Sequence, residues 1–518
     1  MYDAIVIGSG FGGAMAACRL VHAGWRVLLL ERGERVTRGM QVRDVSATME
    51  LSPHYSKESA YRSLDDATYE PDFAGIFCLG GQSIYYGGAS LRFRERDFAP
   101  DPEIVGASGA RWPFGYQEIE PYYGEAERVL GVAGDDTGDV TRPPRSTPFP
   151  YPPPPLAPVS ERFAAAARDL GLTPVRLPLA INYAPDNGRK ACDACRLCDA
   201  YACAIEAKND LDVAVLGPLE GRGLEIRTGT VVTALCTDGR SVTEIRAWDK
   251  ARNEAVRFAG RHVILAAGAL ASPHLLLASG LDRANPSGHA VGRYLTRHCS
   301  AFIFGFCNDR PDTDKVFHKQ LALFDYYFGD PHASRGAATR RLGSIQQITT
   351  PAEGLMKIHL SGISSVWRRV RLSGFMEHLI AALVIAEDQP QEQNGVALDN
   401  SHLDAFGLPR LCVSHRYTAA DEWRRRVLLR RARSVLRRAG AWSSYAHSVK
   451  SFSHGLGTVR MGVDPATSPL DGECRFRGID NLLVVDGSAL PTAAAVNPSL
   501  TIAANALRAA DALINRGA

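Results

Sequence analysis

YDAIVIGSGFGG, residues 2–13, decides the fold. Residues 2–7 are a β-branched apolar run of the length of a buried strand. Gly8-Ser9-Gly10-Phe11-Gly12-Gly13 follows and has the form G-x-G-x-x-G, read as a turn. AMAACRLVHAG, residues 14–24, reads as a helix with Gly24 as its natural stop. WRVLLLERG, residues 25–33, reads as a second strand ending in an acid. Together these make one βαβ unit. In such a unit Gly8 permits the tight turn, Gly10 lets a pyrophosphate approach the backbone, and Gly13 lets the helix pack close to the strand. The helix N-terminus faces the phosphates. Glu31 lies 18 residues after Gly13, where an acid accepts hydrogen bonds from ribose hydroxyls. The unit is expected to bind a dinucleotide, and taken alone it does not separate FAD from NAD.

The rest of the chain sets bounds on what surrounds this unit. Its 518 residues call for two or so interlocked domains. A net charge of +3 from 59 basic and 56 acidic side chains points away from nucleic acid. The N-terminus shows no basic stretch and no small-residue cleavage site, so a cytoplasmic protein is expected. FMEHLIAALVIA, residues 375–386, is about half the length that spans a bilayer and contains Glu377 and His378, so no integral membrane segment is expected. Eleven cysteines, an odd number, do not describe a disulfide scaffold.

Beyond the first unit, a second Gly-rich loop, CLGGQSIYYGGAS, occupies residues 78–90. PFPYPPPPLAP, residues 148–158, reads as a stiff extended connector. LEIRTGTVVTALCTD (224–238) and VTEIRAWDK (242–250) read as a hairpin, and HVILAAGALASPHLLLASG (262–280) as a strand running into a helix. Strand-like runs such as AFIFGFC and NGVALD mix with helices between about 293 and 451. One of these helices, about Ala419–Ala439, carries eight arginines, with Thr418 and Asp421 as a capping pair. It could dock an electron acceptor or an anionic membrane. The expected reading is a solvated helix with an apolar face of Trp423, Val427, Leu428 and Val435. From Ser451 the chain returns to buried strand and helix.

Three C-terminal segments carry a resemblance: Ser453-His454-Gly455-Leu456-Gly457-Thr458, Val484-Val485-Asp486-Gly487-Ser488, and Ala495-Val496-Asn497-Pro498-Ser499-Leu500-Thr501. In this order they resemble the glucose–methanol–choline (GMC) family of FAD-dependent oxidoreductases, bacterial type, nearest to pyranose- and glycoside-oxidising members. The resemblance implies that His454 and Asn497 are the catalytic pair. It implies that Asp486 and Gly487 lie along the flavin, and that the helix opened by Pro498, Ser499 and Thr501 points its N-terminus at the flavin ring. Leu79 through Gly88 resembles the loop that covers the flavin, which assigns Gly80, Gly81, Ser83, Tyr86, Gly87 and Gly88 to the cofactor. Ala266–Ala269 with Ser272-Pro273 resembles the element beside the dinucleotide and adds Ala267 and Gly268. Val232 stands where the family's backbone meets adenine. Gly8, Gly10, Gly12, Gly13, Glu31 and Arg32 complete the cofactor set. Some sugar oxidases of the family attach flavin through a His in the second loop, and Tyr85 stands at the corresponding place here. FAD is therefore expected to be held non-covalently.

The implied fold is α/β. A Rossmann-type FAD-binding domain is drawn from residues 1–155, 205–292 and 452–518. A second α+β substrate domain, built on a sheet with helices, is drawn from 156–204 and 293–451. The chemistry asks for a base and an oxygen-binding partner. A neutral His removes the alcohol proton, a second group holds the oxygen as it gains charge, and flavin takes the hydride. His454 and Asn497 suit these roles, although a lone His is often a packed imidazole and Asn497 could simply form a turn before Pro498. The expected reaction converts a CH–OH group of a sugar, glycoside or polyol to a carbonyl, with oxygen, a quinone or a protein as electron acceptor. The alternatives are a hydrophobic alcohol such as a sterol or long-chain alcohol, a flavin-containing lyase of the same fold, and an electron-relay flavoprotein.

CDACRLCDAYAC, residues 192–203, places Cys192, Cys195, Cys198 and Cys203 close together. An iron–sulfur cluster or zinc could use such thiols. The segment lacks the Cys-Pro-x-Gly-Ala ending of the cluster-bearing family branch, and three ligands so close differ from the two separated pairs usual for zinc. Structural or redox-labile thiols, and no metal, are expected.

Overall fold

The structure, a computed structural model, describes residues 1–44, 47–63, 71–185, 188–330, 340–351, 353, 356 and 373–517. The range 293–451 of the expected substrate domain thus includes stretches, chiefly 331–339 and 357–372, that lie outside the described residues, as do 45–46 and 64–70 of the range 1–155.

Among the described residues a five-stranded parallel sheet has the order Leu482–Val484, Gly260–Leu265, Tyr2–Ile7, Val27–Leu30, Leu224–Arg227. Val27–Leu30 and Leu482–Val484 are buried throughout and Tyr2–Ile7 over its last four residues, as strands covered on both faces require, whereas the edge strand Leu224–Arg227 exposes Glu225 and Arg227. Tyr2–Ile7 is central, with the next strand on one side and Gly260–Leu265 on the other. The strand order reverses there, so a crevice opens at its carboxyl end, where the Gly-rich turn lies. Helices Phe11–His22 and Ser499–Gly517 pack into this part of the core. The first helix begins at Phe11, three residues earlier than composition places it, because Gly12 and Gly13 form its first turn against neighbouring backbone.

A second, antiparallel sheet has the order Ala441–Ser448, Cys299–Cys307, Leu379–Ala386, Ser344–Ile348, Leu321–Leu323, Pro174–Arg176. The longest apolar run of the sequence is its central strand Leu379–Ala386, buried at every position. The arginine-rich helix, Ala419–Arg438, covers one face through Val427, Leu428, Ala432, Val435 and Leu436. Its Thr418–Asp421 capping box forms as read from the sequence. Gly305 in the middle of this sheet lets the helix come close: a Cβ there would lie 2.8 Å from that of Ala441 and 3.2 Å from that of Leu436. Among the described residues no helix is long and apolar enough to cross a membrane.

The segment 224–238 departs from its expected hairpin. Leu224–Arg227 joins the parallel sheet beside Val27–Leu30, and the hairpin is made by Thr230–Thr237 with Val242–Asp249. The Thr228-Gly229 corner, with Gly229 at φ +63°, turns the chain between the two sheets.

Leu436 is fully buried between helix and sheet. Leu436→Ala is expected to remove about 2–5 kcal/mol of stability, seen as a lower midpoint of urea unfolding followed by far-ultraviolet circular dichroism.

Candidate active site

The Gly-rich turn is shaped by close backbone contacts. Gly8 has φ +99°, and a Cβ on it would lie 2.4 Å from the Ala266 carbonyl oxygen. A Cβ on Gly13 would lie 2.0 Å from the Gly8 oxygen, and one on Gly12 would lie 2.6 Å from the Val485 oxygen and 2.9 Å from the Asp486 Cα. Gly10 is the exception, since a Cβ there would meet nothing within 4 Å. The helix that starts after Gly10 has no side-chain cap and no acid in its first turn. Open space in front of uncapped N–H groups is a cradle for a diphosphate.

Glu31 follows the second strand and turns back into the Gly-rich turn. Its carboxylate accepts from the Ser9 N–H (3.1 Å), the Ser9 hydroxyl and the Gly33 N–H (2.8 Å). Burial pushes this carboxyl up, and the bonds from Ser9 and Gly33 oppose that shift. Ser9 Oγ also accepts from the Gly80 N–H at 2.9 Å and so joins the two Gly-rich loops. The Arg32 guanidinium stacks over Phe77 and Phe406, 4.5 and 5.4 Å from their ring centres.

The second loop closes over the first. A Cβ on Gly81 would lie 3.4 Å from the Gly10 Cα. Ser83 Oγ donates to the Gly80 oxygen (2.6 Å) and accepts from Leu211 N (3.0 Å). The Tyr86 ring packs edge-on against Phe11, and its hydroxyl donates to the Asn209 oxygen at 2.9 Å. Gly88 sits against Ile181, and Gly87 against the ion pair of Lys319 and Asp199, which are 2.8 Å apart. Asp486 ties the last pieces together by accepting from Gly268 N (2.8 Å), Ser488 N (2.8 Å) and the Ser272 hydroxyl. Gly487 accepts from Gly457 N at 3.1 Å. Ala267 N donates to Ser272 Oγ at 3.0 Å, and Val232 lies half-buried on the hairpin strand against the main core. Most of the residues assigned to the cofactor from the sequence thus lie in the two Gly-rich loops or in the Ala267–Gly268 and Asp486–Gly487 segments joined to one another behind them, while Arg32 lies on Phe77 and Phe406 and Val232 on the hairpin.

His454 and Asn497 come from different segments, and His298 touches His454 and the loop that leads to Asn497. The backbone of Thr296 and Leu456 exchanges two hydrogen bonds, 3.1 and 2.9 Å, and brings His298 beside His454. Gly457 allows this approach, since a Cβ there would lie 2.7 Å from the Tyr294 oxygen. The two imidazoles meet Nδ1 to Nδ1 at 2.9 Å. Burial pushes His454 well below the ordinary His range, and the nearby His298 and Lys319 push it the same way. Asn497 Oδ1 accepts from Gln346 Nε2 at 2.9 Å. The loop before Asn497 is held by His298 Nε2 on the Ala493 oxygen (3.0 Å), Ala494 N on Glu387 (2.7 Å), Ala495 N on the Tyr327 hydroxyl (3.1 Å) and Ser344 Oγ on the Ala495 oxygen (2.7 Å). After Pro498, Ser499 Oγ donates to the Ala89 oxygen at 3.2 Å and Thr501 Oγ1 meets the Tyr123 hydroxyl at 2.7 Å.

Sequence reading missed His298, Gln346, Lys319 and Glu387. Gln346 with Gln347 left a usable signal, two adjacent amides inside a strand whose every position is buried. His298 left none. The four clustered cysteines are not joined in disulfides. Cys192 accepts from Ala194 N at 3.4 Å, and Cys198 lies buried beside Lys208, whose ammonium donates to the Cys198, Tyr201 and Tyr86 carbonyls. Among the described residues no group of His, Cys, Asp and Glu is arranged to hold a metal ion.

The GMC oxidoreductase N-terminal family model matches residues 77–300 and the C-terminal one residues 390–506, and an NAD(P)-binding Rossmann-like domain model matches 6–66. The chain belongs to the GMC oxidoreductase family. It is 33% identical over 540 residues to 6'''-hydroxyparomomycin C oxidase of Streptomyces lividus, covering 99% of this chain and 91% of that protein. It is also 33% identical to paromamine 6'-oxidase of Streptomyces fradiae over 534 residues, with the same coverage. Among solved structures, pyridoxine 4-oxidase from Mesorbium loti superposes with a TM-score of 0.68 at 21% identity over 99% of both chains, a likeness of fold. Membership of the GMC oxidoreductases makes FAD the dinucleotide, and the open space at Gly10 before uncapped helix N–H groups fits its diphosphate.

The contacts of Gly12 are with backbone, which cannot yield. Gly12→Ala is expected to weaken FAD retention about tenfold or more, measured as flavin absorbance relative to protein absorbance after purification.

Proposed function

We propose that this GMC oxidoreductase oxidises a CH–OH group of a sugar, glycoside or other polyol to a carbonyl, with FAD held non-covalently. The domain division proposed for it has residues 1–155, 205–292 and 452–518 binding FAD, and 156–204 and 293–451 binding substrate. The two relatives named above support a carbohydrate-like substrate. The observation that carries the reading is that His454 and Asn497 each present the functional group the reaction needs. His454 is a neutral imidazole at neutral pH and accepts the hydroxyl proton. Because Gln346 donates to Asn497 Oδ1, the Asn497 amide has its NH2 group left to donate to the substrate oxygen as that oxygen gains charge. Bound FAD supplies the hydride acceptor. Non-covalent binding is supported by Tyr85, whose ring is buried in a small core with Val36, Cys78 and Ile84 and whose hydroxyl is 3.1 Å from Ser52 Oγ. The electron acceptor is proposed to be oxygen, a quinone or a protein, and the location cytoplasmic.

A second reading, a more hydrophobic alcohol, is favoured by one observation. The strand register puts Gln346, Leu383 and Phe302 opposite one another, so they share a face, with Ile348, Ala381 and Phe304 in the next row. The sheet face that reaches Asn497 is thus largely apolar.

Anaerobic mixing with paromamine, simple pyranoses, polyols and a long-chain alcohol distinguishes these readings by flavin bleaching. The carbohydrates are expected to bleach it. Bleaching by the long-chain alcohol alone supports the second reading, and no bleaching by any alcohol overturns both. His454→Ala is expected to keep its FAD and to reduce it about 10²–10⁴-fold more slowly, measured by stopped-flow absorbance. The depressed His454 pKa keeps the base neutral as pH falls, so the reduction rate is expected to stay level through neutral pH. It should fall only on the acid side of the ordinary His range, as a pH series of the same measurement would read out.

A further inference from the structure

We propose that His298 is a positioning residue that holds the proton of His454 on Nδ1 and so leaves Nε2 as its basic nitrogen. This rests on the reading of His454 as the base. The argument runs along three atoms. The Ala493 carbonyl can only accept, so His298 Nε2, 3.0 Å away, carries a hydrogen. Burial holds His298 neutral, below the ordinary His range, against the opposing pull of the Asp388 carboxylate. A neutral imidazole protonated on Nε2 has its lone pair on Nδ1. That lone pair lies 2.9 Å from His454 Nδ1. The two nitrogens form a hydrogen bond only if His454 supplies the proton, and neutral His454 then has a bare Nε2.

The surroundings over-determine this arrangement. His298 has φ +66°, in the left-handed region that a non-glycine residue adopts only when held there. Asp388 holds it by accepting from the backbone N–H groups of Arg297 and His298, each at 2.9 Å, and from His415 Nε2 at 3.1 Å. Lys319 on another side disfavours a second positive charge, and Glu387 is engaged by Ala494 N. When His454 Nε2 takes the alcohol proton, the Nδ1–H bond to His298 becomes charge-assisted and stronger. His298 also grips the loop that carries Asn497, so one ring sets both the tautomer of the base and its spacing from the oxygen-binding amide.

The test uses the FAD-loaded protein and two variants. His298→Ala removes the acceptor. His298→Asn places a side-chain carbonyl where Nδ1 stood, and Asn tolerates the left-handed backbone. His298→Ala is expected to slow flavin reduction about a hundredfold with little change in KM, and His298→Asn to recover most of that loss. Imidazole nitrogen NMR of 15N-histidine-labelled protein, with the His454 signals assigned by their loss in His454→Ala, is expected to show the Nδ1–H tautomer in the wild type. The same signals should shift toward the Nε2–H form in His298→Ala and return in His298→Asn. A wild-type His454 in the Nε2–H form overturns the proposal whether or not His298→Ala folds. So does His298→Ala reducing its flavin at the wild-type rate while His454→Ala is impaired. If His454→Ala itself reduces at the wild-type rate, the base assignment has failed, and the proposal with it.

Discussion

One buried carboxylate holds the dinucleotide crevice together. Asp486 accepts hydrogen bonds from Gly268, Ser272 and Ser488. The backbone at Val485 and Asp486 is in turn the surface on which Gly12 rests. Segments far apart in the chain thus meet through one side-chain carboxylate and through the close approach of Gly8 to the Ala266 backbone and of Gly12 to that of Val485 and Asp486. The glycine contacts tolerate little displacement, because no flexible side chain lies between the two backbones to absorb it. The open space at Gly10 exists only because Gly8, Gly12 and Gly13 are already pressed against their neighbours.

The two side chains proposed to react, His454 and Asn497, are contacted from the other sheet. Gln346, on the strand Ser344–Ile348, orients the Asn497 amide, and His298, at the start of the next strand but one, contacts His454 and the loop before Asn497. Glu387, Tyr327 and Ser344 clamp the same loop. On the proposed assignment the parallel sheet and its helices hold the cofactor, while residues of the antiparallel sheet set which atoms of His454 and Asn497 donate and which accept. Gln346 inside this largely apolar sheet, and Glu387 and Asp388 just after the strand Leu379–Ala386, are among the buried polar side chains that make or support these contacts.

How much of this was legible in the sequence follows from the range of each interaction. The βαβ unit was legible because its glycines and Glu31 act within about thirty residues, and the arginine-rich helix because its cap and apolar face are local. The start of the first helix was misplaced because Gly12 and Gly13 have poor intrinsic helix propensity, and the backbone at Val485 and Gly8 overrides it. The split of 224–238 between two sheets was hidden because LEIR alternates in the same way whether its partner is a hairpin strand or Val27–Leu30. His454 and Asn497 were marked by their surrounding motifs. His298 carried no mark, because its significance arises from a contact 156 residues away.

The order of the strands has a consequence for biogenesis. The parallel sheet takes its edge strand, Leu482–Val484, and the crevice its closing carboxylate, Asp486, from a segment far along the chain from the Gly-rich turn at residues 8–13. Domains of a growing chain fold as their parts emerge from the ribosome. Here the cofactor crevice cannot close until the segment around Asp486 has been made, so tight loading of FAD comes long after the Gly-rich turn has left the ribosome. Fragments that stop short of residue 486 would leave the Gly-rich turn without the surface against which Gly12 packs.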